Sequence, residues 1–247
     1  MQNIDKWQPT KFIYKNGKLK CSRDPKNVSI SSRLAADLVA DFYGKIIPEN
    51  VKGRLLDLGC GKVPFYNAYK PFVSENICVD WGNTLHKNIY LDYECDLNQK
   101  LFFESNEFDT IILSDVLEHI REPELLFGEM SRILKKDGKL ILNVPFYYWI
   151  HEHPHDYYRY TKYALENFAI KSNFKIELIR PIGGAPEVIA DILSKNIVNI
   201  SLIGPILAKA IQSFTWFFIN TAFGKRRSIS TSENFPFGYF MILKKNN

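Results

Sequence analysis

The chain has 247 residues, 46% of them hydrophobic and with no internal repeat or low-complexity tract, which suits one compact domain. Its net charge of +5 is modest, and apart from Lys225-Arg226-Arg227 the basic residues are dispersed, so nothing demands specific nucleic-acid binding. Cys21, Cys60, Cys78 and Cys95 lack the paired spacing of a zinc site, and the first residues lack an apolar signal core, so free thiols in a cytoplasmic setting are expected.

Within residues 1–26, Asn16-Gly17 separates two short runs and predicts a hairpin. In residues 31–47, Leu34, Leu38, Phe42 and Ile46 share a helical face, which predicts a helix that packs on the core and helps to cover a ligand site. Arg54-Leu55-Leu56-Asp57-Leu58-Gly59-Cys60-Gly61 is an apolar strand ending in an acid and two glycines. Glycine accepts positive φ and has no Cβ, so the backbone can turn sharply there and lie against a nucleotide-like ligand facing Asp57. The dinucleotide fingerprint fails, because its third glycine position holds Pro64.

Ile77-Cys78-Val79-Asp80 is a second strand ending in an acid about twenty residues on, where a carboxylate can accept from ribose hydroxyls. Asp96 offers a further acceptor. Residues 108–115 and 139–145 are two more apolar strands, with 175–181 and 237–243 the last two.

Ligands of open α/β sheets bind beyond the carboxyl ends of the strands, so residues 145–161 are placed to meet an acceptor. The aromatic side chains there can stack on rings, and the His, Asp and Arg residues can orient hydroxyls or hold an anion. On an extended strand His151, His153 and His155 would share one side, as metal ligands do. Pro154 argues against that arrangement, and no metal is expected.

Residues 188–224 are more apolar than a connection requires. Residues 196–208 and 210–224 are uncharged, but each run is shorter than the roughly 20 residues of a membrane-spanning helix. Leu207, Ile211, Phe214 and Phe218 form one helical stripe, with Trp216 and Phe217 beside it. Followed by a basic triplet, this composition suits a helix lying in an anionic membrane interface, peripheral contact through 196–224. It equally suits a helical pair packed on its own domain or on a second copy in a homodimer.

The order of these elements, with Ser114-Asp115-Val116-Leu117-Glu118-His119-Ile120, Pro123 and the turn at Asp137-Gly138, resembles the class I S-adenosylmethionine-dependent methyltransferases over residues 50–182 and the last strand. The resemblance implies one Rossmann-like α/β domain: a seven-stranded, mostly parallel sheet with helices on both faces. Its parts would be a cofactor-binding core at 27–187, an apolar helical insertion at 188–230 and a final strand at 236–244. It implies S-adenosylmethionine as cofactor, with Asp57, Gly59 and Gly61 at the methionine end and Asp80 at the ribose. Trp81 joins this set, Asp96 and Leu97 would meet the adenine, and Ser114 would border the sulfonium. His119 is read as a packing or capping residue.

The run His153-Pro154-His155-Asp156-Tyr157-Tyr158-Arg159-Tyr160-Thr161 resembles a subgroup associated with glycan and cell-surface polysaccharide biosynthesis. The expected reaction is O-methylation of a hydroxyl on a sugar or lipid-linked glycan, at the inner face of the membrane. A hydroxyl reacts better when a base removes its proton, and His155 or His153 is the candidate, with Asp156 as orienting partner. Tyr147, His151, Tyr158 and Arg159 would bind the acceptor, Arg159 as an anion or backbone anchor. Alternatively, Asp156 and Arg159 pair to fix the loop and Thr161 caps the next helix. Methylation of a small lipid or natural product, and a non-catalytic cofactor-binding module, are the alternative functions.

Overall fold

The computed structural model describes residues 1–82 and 88–246. Strands β1 (Phe12–Lys15) and β2 (Lys18–Cys21) form the hairpin. Asn16 and Gly17 both have positive φ, +53° and +70°, the requirement of a type I′ turn. Helix α1 (Arg33–Asn50) follows, burying Leu34, Phe42, Tyr43 and Ile47.

The main sheet contains β3 (Gly53–Leu58), β4 (Val73–Asp80), β5 (Tyr93–Glu94), β6 (Phe108–Ser114) and β7 (Leu134–Pro145), all parallel. Strand β8 (Phe174–Ile182) pairs antiparallel with β9 (Gly238–Lys245), which also runs antiparallel to β7. The sheet is seven-stranded and mostly parallel, as the resemblance implied, with the order β5-β4-β3-β6-β7-β9-β8. Chain order reverses between β3 and β6, where open α/β sheets place their ligands.

Alternation along each strand divides the apolar residues between two cores. Leu55, Ile112, Ile141 and Phe240 pack under α1 and the hairpin, where Phe42 stacks on Phe240 at 3.6 Å between centroids. Leu56, Leu58, Ile111, Leu113 and Leu142 pack on the other face, with α3 (Pro123–Ile133) and α4 (Lys162–Lys171); the short α2 (Tyr66–Tyr69) closes the first core. Because both faces are covered, β3 is a nearly continuous buried run rather than an alternating one.

The cover over the glycine turn comes chiefly from residues ahead of the hairpin. Trp7 donates its indole N–H to the Val63 carbonyl at 3.2 Å, and Lys11 pairs with Asp115 at 3.1 Å. Helix α1 is mainly a packing element, reaching the carboxyl edge through Tyr43, whose hydroxyl donates to Asn143 at 2.9 Å.

The insertion is three helices, α5 (Ala185–Ile197), α6 (Gly204–Ile219) and α7 (Ala222–Thr231). The predicted stripe on α6 is divided. Ile211 and Phe218 pack inward, but Leu207 and Phe214 are exposed, and the buried face carries Ala208, Gln212, Thr215 and Ile219. Gln212 explains the rotation: its side chain accepts from Leu34 N–H at 2.6 Å and donates to the Ser31 carbonyl at 3.0 Å. These bonds satisfy buried backbone groups that an apolar residue would leave unpaired. No described helix is long and apolar enough to cross a membrane.

Candidate active site

Strand β3 carries Asp57 to the carboxyl edge, where it is buried and accepts from the Tyr69 hydroxyl at 3.1 Å. Burial pushes its carboxyl up to about 7, with the Tyr69 hydrogen bond opposing and the charge of Asp80 adding. Gly59, at φ +71°, has no room for a side chain, since a Cβ there would lie 2.5 Å from Val116 Cγ2. Gly61, at φ +49°, faces open space where its Cβ would stand. One glycine thus permits close packing against the exit of β6, and the other leaves bare backbone for a ligand.

Asp80 ends β4 and accepts from the N–H groups of Gly61 and Trp81, each at 2.8 Å. Burial raises its pKa while these amides oppose the rise. The acid thereby fixes the shape of the glycine turn. Asp96 closes a local turn, one oxygen accepting from the backbone and side-chain amides of Asn98 at 2.9 and 2.8 Å. Leu97 is buried with Leu56, Leu58 and Ile77. Ser114 ends β6, next to Asp115 at φ +53°, which also accepts from Asn143. A buried acid, a second acid bonded to a bare glycine turn and a strand-end hydroxyl fit a ligand with a cationic head and a ribose.

Residues 146–161 form an irregular loop up to the start of α4, where Thr161 caps the helix by accepting from Ala164 N–H at 3.3 Å. Arg159 grips Asp156 with two bonds, 2.6 and 2.7 Å, and donates to the carbonyls of Trp149 at 3.0 Å and Tyr158 at 2.8 Å. Burial works against the Asp156 charge, but the guanidinium outweighs it and holds the carboxyl down to about 2. Of the two roles expected for Arg159, backbone anchor is the one this geometry displays.

Asp156 accepts from His151 N–H at 2.9 Å and lies 3.3 Å from His151 Nδ1. The orienting partnership expected for His155 therefore belongs to His151. His155 has Nδ1 3.0 Å from the Tyr157 hydroxyl and its ring edge-on to Trp81, centroids 4.9 Å apart. His153 is exposed, and Tyr158 donates its hydroxyl to the Arg121 carbonyl at 3.2 Å. The three alternating histidines do not share a side: His151 faces His119, centroids 4.9 Å apart, while His155 faces Trp81.

The sequence passed over Glu118, Asp191 and Lys195, and gave His119 only a packing or capping part. Glu118 is fully buried in the turn Leu117–His119, and its carbonyl accepts from Tyr157 N–H at 2.9 Å, pinning the loop to that turn. Burial and the nearby charge of Asp115 push its carboxyl well above the ordinary range. His119 donates through Nδ1 to the His155 carbonyl, 2.8 Å away, so it is tied to the loop rather than capping a helix. Asp191 and Lys195 form a buried ion pair one turn apart on α5, with Lys195 Nζ 3.4 Å from the Tyr148 ring centroid. Burial pushes Lys195 down to about 8 and Asp191 up to about 6, against their mutual attraction. A cleft of about 500 Å³ opens here, with Tyr147, Tyr148 and Trp149 on one side and Asp191, Ile192 and Lys195 on the other. The i,i+4 spacing of Asp191 and Lys195 is a legible pairing signal; their burial among aromatics more than 40 residues away in sequence is not.

Residues 29–177 match a family profile described as a methyltransferase domain. An uncharacterized protein of Methanocaldococcus jannaschii is 33% identical over 145 residues, covering 57% of this chain and 58% of that protein. Another from the same organism is 27% identical over 93 residues, 38% of this chain and 45% of its own length. The matches thus span about half the length of these curated relatives. Among solved structures, an S-adenosylmethionine-dependent methyltransferase from Mesorhizobium loti has TM-score 0.54 at 14% identity, covering 86% of this chain and 100% of that one. The [4+2]-cyclase SpnF has TM-score 0.54 at 15% identity, with coverages of 96% and 87%. Haemonchus contortus phosphoethanolamine N-methyltransferase 2, in complex with S-adenosyl-L-methionine, has TM-score 0.51 at 20% identity, with coverages of 89% and 60%. At such identities the likeness is one of fold. The profile match covers more than half of the residues and agrees with this sheet and its strand-end acids, so the chain belongs to the methyltransferase-domain family.

Proposed function

We propose that the protein methylates a hydroxyl of a sugar carried on a lipid, working at the inner face of the membrane. The observation that carries this reading is the cleft between the 146–149 aromatics and α5, which joins ring-stacking faces to an apolar surface. Ile192 belongs to both, lining the cleft and standing exposed beside Ile189 and Leu193. A sugar ring suits Tyr147 and Trp149, an anionic linkage suits Lys195, and an acyl chain suits the helical surface beyond.

S-adenosylmethionine supplies an electrophilic methyl group on a sulfonium. Asp57, Gly59 and Gly61 would hold its methionine end, Asp80 and Trp81 its ribose, Asp96 and Leu97 its adenine, with Ser114 at the sulfonium. In-line attack needs an oxygen held close to that methyl and relieved of its proton. His155, packed edge-on to Trp81, is the base assigned to this step, and the Asp156–Arg159 pair holds its loop in place.

The fold also carries the cyclase SpnF, so activity must be read as transfer. Purified protein is incubated with S-adenosylmethionine and either a lipid-linked saccharide or the matching soluble sugar. S-adenosylhomocysteine and a 14 Da mass gain on the lipid-linked acceptor are expected, roughly tenfold or more above the soluble one, the discrimination of a few buried apolar groups. Methylation of soluble sugars alone removes the lipid from the proposal, and no turnover with either removes the acceptor class.

A further inference from the structure

We propose that Glu118, His119 and His151 form a binding site for one divalent first-row metal cation, which holds the acceptor oxygen for methyl transfer. His119 Nε2 lies 3.7 Å and His151 Nε2 4.0 Å from Glu118 Oε1, and the three ligand atoms are all within 4.8 Å of one another. Around a tetrahedral cation with bonds of about 2.1 Å, ligand atoms stand about 3.4 Å apart. Small ring rotations therefore close the set.

The carboxylate carries the first part of the argument. Glu118 is fully buried, both its side-chain oxygens have no hydrogen-bond partner, and it points at two imidazole nitrogens. A buried acid without donors is costly unless a proton or a cation occupies the space before it.

The histidines carry the second part, which is independent of the first. His119 has Nδ1 at the His155 carbonyl, 2.8 Å, and His151 has Nδ1 near Asp156 and the Trp149 carbonyl, both 3.3 Å. An acceptor at Nδ1 selects the tautomer with its proton there, so each ring turns an Nε2 lone pair toward Glu118. Two lone pairs facing a carboxylate repel unless a cation lies between them. Nδ1 donors to carbonyl or carboxylate are the outer shell that metal-binding histidines use. A two-histidine, one-carboxylate set leaves coordination positions open, suiting Zn²⁺, Mn²⁺ or Co²⁺.

The site is built where the acceptor loop meets the end of β6, four residues beyond Ser114. His119 and His151 are partly exposed, leaving an approach for an incoming oxygen. Metal coordination would lower the pKa of a bound hydroxyl, so its proton leaves to His155 or water while the oxygen bonds to the methyl carbon and the carbon–sulfur bond breaks, its electron pair staying on the sulfur of S-adenosylhomocysteine. This role rests on the methyl-transfer reading; the site does not.

Full-length protein, stripped with chelator, is titrated with Co²⁺ and followed by its visible absorption, alongside Glu118→Gln and His151→Ala. One equivalent in the wild type is expected, with affinity falling 10-fold or more in both variants, and S-adenosylhomocysteine affinity unchanged in His151→Ala. His151→Ala removes a partly exposed ring, so it tests the site even if Glu118→Gln fails to fold. Absent or substoichiometric Co²⁺ absorption, or affinity unchanged in folded His151→Ala, overturns the site. Saturable Co²⁺ binding with transfer indifferent to chelation overturns its part in the reaction. Saturable binding without any transfer leaves the site standing and counts against the proposed acceptor instead.

Discussion

The two ends of this active site are built by opposite means. The proposed cofactor edge is largely a property of the backbone: a glycine turn between two strands whose ends carry Asp57 and Asp80, with Asp96, Leu97 and Ser114 beyond. The proposed acceptor side is assembled from segments far apart in sequence, with Glu118, His151 and Lys195 arriving on a turn, a loop and a helix. The first tolerates little change because its geometry is the main chain itself. The second can change its chemistry without altering the sheet.

Gly59→Ala attacks the backbone end most severely. A methyl group there combines positive φ with a 2.5 Å approach to Val116, and together these should cost about 2–4 kcal/mol of stability. Loss of measurable S-adenosylmethionine binding by calorimetry should accompany a lower thermal midpoint. Adding Val116→Ala relieves the clash but not the φ, so about half of the loss should return. Full recovery in the double variant would mean that backbone conformation contributes nothing.

The pH response of Asp57 tests the same end without disturbing its shape. Its carboxyl sits at about 7 in the fold against an ordinary 3.8, so between these values the folded state binds more protons than the unfolded state. Stability should therefore fall as pH rises from about 4 to 7, by at most about 4 kcal/mol. Asp57→Asn should flatten that slope in denaturant titrations at pH 5 and pH 7.5. An unchanged slope assigns the pH dependence elsewhere. Asp80→Ala comes next, removing the acceptor of the Gly61 and Trp81 amides. It should weaken S-adenosylmethionine about 10- to 100-fold while leaving the thermal midpoint within a few degrees, as loss of a charge-assisted hydrogen bond implies.

This division also explains what could be read from the sequence. Strand ends, the glycine turn and the Asn16-Gly17 hairpin depend on neighbours within a few residues, so their pattern survives in one dimension. Loop residues 146–161 depend on where Arg159 and Glu118 place their bonds. Proximity in sequence pairs Asp156 with His155 or His153, while in the fold it contacts His151. Nothing local in the sequence distinguishes Glu118, a fully buried acid, from a solvated one. On α6, hydrophobic periodicity marked a stripe, but Gln212 set the helix rotation through bonds to residues some 180 positions away. Periodicity finds a face; only packing says which way it turns.

The smallest effect on the fold should come from that surface. Phe214 and Phe217 are each 70% exposed, so Phe214→Ser with Phe217→Ser removes little packing and should change stability by no more than about 0.5 kcal/mol each. Affinity for S-adenosylmethionine should not change, since neither ring is near the glycine turn. Binding to vesicles should change strongly if this face meets lipid. Both rings enter the interface, and exposed Lys209, Lys225, Arg226 and Arg227 on α6 and α7 favour anionic headgroups. Flotation with anionic but not zwitterionic vesicles, lost in the double variant, is the expected outcome. A wild type that never floats, but whose sedimentation mass halves in the double variant, would assign the same rings to a homodimer. The acceptor side would then be completed by protein rather than by membrane, while the cofactor edge stayed as it is.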